Sequence, residues 1–193
     1  ERFEERVLAD APRLSLSDEF KFACHPGVSC FGDCCGDVNI VLMPYDVLRL
    51  KNRLGMTSTE FLDEHTILPF SKDQRLPAPL LRMRDNEKKS CPFLTEEGCS
   101  VYEDRPWACR MYPIGYAAPG KGEKGEPFWF LLEEKGCKGF EEEQTLTVGE
   151  WISDQEIEKY DEMGEMYREL AVDEYLKKDG DLDPKQMQMF FTG

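Results

Sequence analysis

Eight cysteines are the residues of this chain best suited to chemistry. Four fall within CHPGVSCFGDCC, as Cys24, Cys30, Cys34 and Cys35, and four follow at wider spacing, as Cys91, Cys99, Cys109 and Cys137. Thiolate sulfur is a soft ligand that suits zinc, mononuclear iron and iron–sulfur clusters, and four sulfurs complete a tetrahedral site. Eight therefore allow two such sites or one larger centre, and all eight are candidate ligands. Disulfides belong mainly to secreted chains, and no secretory signal is visible here. A bridge between the neighbours Cys34 and Cys35 would also strain the peptide joining them, whereas adjacent thiolates can both act as ligands.

Spacing divides the thiols less clearly. The simplest partition sets Cys24, Cys30, Cys34 and Cys35 apart from the other four, while leaving room for ligands from both halves to share a site. Zinc knuckles show cysteine pairs two to four residues apart, and only Cys30 and Cys34 come that close; there is no C-x-x-C. Adjacent cysteines in an extended chain point to opposite sides, so Cys34 and Cys35 fit poorly on one small ion. The expectation is therefore an iron–sulfur centre, [4Fe–4S] among the options, with zinc as the alternative.

Other residues add less. Arg105 and Arg110 flank Cys109, where guanidinium groups offset the negative charge of a thiolate centre; the competing reading pairs them with Glu103 and Asp104 at the surface. His25, next to Cys24, reads as an exposed or supporting residue rather than a ligand, and His65, beside Asp63 and Glu64, as a surface residue or cap. Two histidines without a supporting motif yield no Ser/His/Asp or Cys/His arrangement for nucleophilic catalysis. Gly120-Lys-Gly-Glu-Lys-Gly lacks the Lys-Ser/Thr ending of a phosphate loop and the spacing of a dinucleotide fingerprint.

The elements that position these thiols are short. Phe20 to Ala23 alternates as a strand leading to Cys24, and Pro26, Gly27, Gly32 and Gly36 let the cysteine loop turn back. Val38 to Met43 reads as a strand, followed by a helix from Pro44 with Val47, Leu50 and Leu54 on one face and Gly55 as its cap. Thr57 and Glu60 form a capping box for a second helix with Phe61 and Leu62 buried. Pro69 to Pro79 is a loop, Leu80 to Arg84 a strand, and Trp107 to Met111 a short helix. Phe128 to Leu132 is a buried strand leading to Cys137. In the tail, Thr147 with Glu150 and Ser153 with Glu156 predict two capping boxes. Ile157, Tyr160, Gly164, Tyr167 and Ala171 predict a helix up to Gly180, and Asp183-Pro184 starts a last one with Met187, Phe190 and Phe191. Glu1 to Pro12 is mildly amphipathic. The class is α+β: short strands and irregular cysteine loops with helices around them. The chain divides as an extension over 1–19, a cysteine-cluster domain over 20–140, and an acidic helical segment over 141–193 packed on the same domain.

At 193 residues with 40% hydrophobic composition, the chain can bury a core. Its net charge of −15 opposes non-specific binding to nucleic acid or an anionic membrane. The charge is concentrated: from Glu141 onward there are sixteen acidic and five basic residues, so this segment carries −11, most simply as a solvated helical face. No stretch approaches the length of a membrane span, so a cytoplasmic location is expected.

CHPGVSCFGDCC with MPYDVLRLKNRLG, followed by CPFLTEEGCSVYEDRPWACRMYPIG, resembles a bacterial and archaeal cysteine-cluster family described as zinc- or iron-chelating domains and often as iron–sulfur proteins. The similarity runs from about Phe20 to Cys137. Its most specific part holds Cys91, Cys99, Arg105, Pro106, Cys109, Arg110, Tyr112 and Pro113. The family form is tighter than the five residues between Cys24 and Cys30, so carry-over supports Cys24 least. The resemblance implies an iron–sulfur protein for electron transfer or redox sensing, with a protein redox partner. A zinc-stabilised interaction module is the first alternative. Flagellin lysine methylases carry a similar domain, which makes a role in protein methylation the second alternative, although no S-adenosylmethionine signature is present.

Overall fold

A computed structural model describes residues 12–69, 78–118 and 126–172. In chain order its elements are β1 (Glu19–Lys21), α1 (Pro44–Leu54), α2 (Ser58–His65), β2 (Thr66–Ile67), β3 (Leu80–Leu81), β4 (Leu94–Thr95), β5 (Gly98–Cys99), α3 (Trp107–Met111), β6 (Ile114–Ala117), β7 (Phe128–Leu131), β8 (Thr145–Thr147), α4 (Val148–Asp154) and α5 (Ile157–Val172). This is an α+β fold in which every strand pairs with one antiparallel neighbour. The amphipathic stretch Glu1 to Pro12, the helix expected after Asp183, the Pro69–Pro79 loop and the stretch to Gly180 lie wholly or largely outside the described residues. No helix among the described residues is long and apolar enough to cross a membrane.

The chain forms two compact units: Glu1–Phe31 with Met111–Glu156, and Gly32–Arg110 with Ile157–Gly193. In the first, β1 pairs with β8 in the register Phe20↔Leu146, and β6 pairs with β7 in the register Gly115↔Phe130. Alternation turns Phe128 and Phe130 inward from β7. Phe22 follows β1 into an aromatic cluster, with ring centroids 5.8 Å from Tyr112, 5.2 Å from Phe140 and 5.6 Å from Trp151. Thr147 caps α4: its hydroxyl accepts from the Glu150 amide at 3.1 Å, and the Glu150 carboxylate accepts from the Thr147 amide at 2.8 Å.

The second unit is built on α1, α2 and α5. Pro44 fits the first turn of α1, whose apolar spacing buries Val47 and Leu50, and Gly55 ends it at φ 68°. These side chains join Leu42, Phe61, Leu81, Phe93 and Val101 in one core, with Cys91 and Cys99 packed partly buried against it. Burying a leucine as fully as Leu50 stabilises by about 1.5–3 kcal/mol. Thr57 and Glu60 form the expected box on α2, the carboxylate accepting from the Thr57 amide at 2.8 Å.

Three expectations are corrected. Val38 to Met43 is not a strand. It makes one ladder bridge, Val41↔Leu80, because its partner segment offers only the two residues of β3, and the strand expected to reach Arg84 stops at Leu81. The Ser153/Glu156 box does not form: Ser153 lies within α4, and Glu156 takes a left-handed φ of 53° between α4 and α5.

Candidate metal centre

Five cysteines belong to the second unit. Gly32 opens a single 3-10 turn, Asp33–Cys35, rather than the extended chain expected at Cys34 and Cys35. In this turn the two thiols are hydrogen-bonded to each other, so the inference that they diverge, and with it the main spacing argument against a single ion, loses its premise. Directly behind the turn the chain is tied to the second cysteine segment. The Cys91 amide donates to the Cys35 carbonyl at 2.7 Å, and Gly36 bridges to Ser90. A Cβ on Gly36 would lie 2.6 Å from the Lys88 carbonyl oxygen, so only glycine fits this close approach.

Cys91 and Cys99 bracket the β4–β5 hairpin, and Cys99 is its last strand residue, paired with Leu94. The amides of Phe93 and Leu94 donate to the Cys91 thiol, and the Val101 amide donates to that of Cys99. Such bonds favour the thiolate form. Burial opposes them and dominates, holding both thiols above their ordinary value. Cys109 sits on the solvent-open side of α3, yet enough protein surrounds its thiol that burial pushes it up to about 12, with the charges of Cys91 and Cys99 adding to the rise. Cys35 is pushed up as well, first by its bond with Cys34, then by burial, then by the charges of Cys34, Cys109 and Cys91.

Charge thus links Cys35 to Cys91 and Cys109, and those two to Cys99, across three separate segments. The partition by nearness in sequence does not hold, because Cys35 associates with the distant thiols.

Arg105 and Arg110 are not surface partners of Glu103 and Asp104. They are 8% and 3% exposed, and they spend donors on backbone carbonyls: Arg105 on Tyr102 at 2.5 Å, Arg110 on Glu103 at 2.5 Å and on Arg105 at 3.0 Å. Asp104 pairs instead with Arg49 at 2.7 Å. Burial lowers Arg105, while the charges of Cys109 and Cys99 help keep it protonated. A guanidinium so placed offsets the charge of thiolates.

The other three cysteines lie in the first unit. The Cys30 sulfur accepts from the Lys138 amide at 3.1 Å, next to Cys137. The Ala23 amide donates to the Gly139 carbonyl at 3.0 Å, which carries Cys24 towards the same turn. His25 is occupied elsewhere: its Nδ1 accepts from the Gly27 amide at 3.1 Å, which leaves Nε2 to donate to Glu142 at 3.3 Å. His65 is packed between the rings of Phe61 and Phe93, each at 5.3 Å, and is no surface cap.

Among the described residues, no three histidine, cysteine, aspartate or glutamate side chains are already arranged around one ion. The donor set of the second unit nevertheless suits a soft metal: thiols coupled through charge, backbone hydrogen bonds that lower two of them, and a buried cation beside two. Cys35, Cys91, Cys99 and Cys109 are the residues that would hold it.

The sequence reading missed Asp46. The only available signal was its place as the third helical residue after Met43, where an acid can cap. That it is 1% exposed and also bonds the Trp107 amide at 2.9 Å depends on tertiary packing.

A family model named CxxCxxCC, described as "putative zinc- or iron-chelating domain", matches residues 23–163. No match was found among curated proteins or among solved structures.

Proposed function

The chain belongs to this family of zinc- or iron-chelating domains, and from that membership we propose that it is a metal-binding module organised around a four-thiolate centre of Cys35, Cys91, Cys99 and Cys109. One observation carries the reading: the turn that bears Cys35, distant in sequence, is tied to the second cysteine segment by the Cys91 amide on the Cys35 carbonyl, and charge couples Cys35 to Cys91 and Cys109 and those two to Cys99. The ion would be a single zinc or iron, and its role is to tie these pieces together. Two-residue strands and a five-residue helix do not persist unaided. Ligation supplies the missing folding free energy.

A second reading keeps the same ligands but places an iron–sulfur centre on them, for electron transfer or redox sensing with a protein partner. It is favoured by the solvent exposure of Cys109, which gives an electron a short path to the surface. A role in methylation rests on resemblance alone and is not proposed.

Anaerobic purification with metal and acid-labile sulfide analysis and a visible spectrum separates these readings. About one zinc or iron per four-thiolate site without sulfide is the expected result. Brown protein with stoichiometric sulfide would shift the assignment to the cluster. If the protein carries neither metal and takes up none on reconstitution, both readings fail.

A further inference from the structure

We propose that Asp46 is the positioning residue for Cys109, holding the short helix that bears this thiol in place on α1 before any metal arrives. The inference rests on the reading of Cys109 as a ligand and adds a residue that the metal itself would not touch.

A five-residue helix cannot set its own direction, because its first amides have no partner within the helix and its nucleus costs more than its few bonds return. Its orientation must come from outside. Asp46 supplies it with both carboxylate oxygens: Oδ2 accepts from the Met43 amide at 2.8 Å, and Oδ1 accepts from the amide of Trp107, the first residue of α3, at 2.9 Å. One carboxylate thus closes the first turn of α1 and that of α3 together. It is itself 1% exposed and precedes Val47, which is buried in the core. A second tie joins α5, where the Tyr160 hydroxyl donates to the Arg105 carbonyl at 3.3 Å.

Charge is not what Asp46 contributes. A carboxylate near Cys109 opposes the thiolate that a metal requires, and Arg105 works in the other direction. What remains is geometry: the anchor sets where Cys109 stands relative to Cys91 and Cys99, whose charges act on it.

The test compares Asp46→Asn and Asp46→Ala with Leu50→Ala, a core truncation on the same helix that leaves the anchor intact. Zinc affinity is measured by competition with a chromophoric chelator, and coordination by the absorption bands of the cobalt(II)-substituted protein. In metal-free protein, the alkylation rate of Cys109 is mapped by mass spectrometry relative to Cys91 and Cys99. Asparagine retains one acceptor and alanine none. The expected losses of zinc affinity are therefore about tenfold and about a hundredfold, with altered cobalt bands and faster alkylation of Cys109 specifically. Leu50→Ala should lower thermal stability at least as much, yet keep the cobalt bands and the alkylation order.

Two results would overturn the proposal: Leu50→Ala reproducing the Asp46 changes at equal destabilisation, or Asp46→Asn and Asp46→Ala both keeping wild-type affinity and alkylation order. If the wild type takes up neither zinc nor cobalt, the metal reading fails instead, and the alkylation arm still decides whether Asp46 positions Cys109.

Discussion

At the scale of the residue, the chemistry of the proposed centre is set by how costly it is to ionise its thiols. Cys91, Cys99 and Cys109 all stand above the ordinary thiol value in the metal-free fold, mainly through burial. A metal takes the thiolate, so binding must expel protons, and affinity should climb as pH rises from about 6 to 8. Titration in two buffers of different ionisation enthalpy measures that release; a proton count near zero would contradict the assigned ligands. For the metal-free protein the sign reverses. The stability held in the protonated Cys109 is complete below its ordinary value of 9.0 and is lost as pH rises through about 12. Gly36 offers a steric test of the same region. Gly36→Ala forces its Cβ against the Lys88 carbonyl, and the backbone must shift where Cys35 meets Cys91. The expected cost is about 1–3 kcal/mol in chemical denaturation, together with weaker metal binding.

At the scale of the element, local rules and tertiary placement separate cleanly. The helix from Pro44 to its Gly55 cap, the Thr57/Glu60 and Thr147/Glu150 boxes, the short helix at Trp107 and the strand at Phe128 were legible because each is written in neighbouring residues. Ser153/Glu156 obeyed the same pattern and failed, since α4 was already running through Ser153 from the stronger start at Thr147. The candidate site was legible as a list of thiols but not as a grouping. Cys35 meets Cys91 through one backbone bond, and nothing in the spacing encodes it. The arginines read equally well as surface partners of Glu103 and Asp104, and only their burial decided the matter. The caps also yield a prediction. Thr57→Ala should cost about 1 kcal/mol in thermal or chemical unfolding. Its partner Glu60 is held below its ordinary value by bonds to Thr57, so its contribution is present above the usual carboxylate range and is lost as pH falls through it. Thr57→Ala should remove the part of that acid dependence that comes from the hydroxyl, while the larger part from the Thr57 amide remains.

At the scale of the whole molecule, the two compact units have different means of cohesion. The first holds an aromatic cluster about Phe22 and two strand pairs. The second places, among its described residues, a core of seven buried side chains beside its thiols. Chelation should therefore act unevenly. Hydrogen exchange followed by mass spectrometry should show residues 91–111 losing protection on metal removal, while β7, β8 and α4 retain most of theirs; equal loss in both units would refute this division. The order of synthesis gives the hairpin and short helix another significance. Cys35 leaves the ribosome first, Cys91, Cys99 and Cys109 follow close together, and α5, the last of the described helices, emerges only afterwards. A nascent chain thus owns these four sulfurs before it owns Tyr160, and an ion captured at that moment would gather the unit around itself ahead of α5.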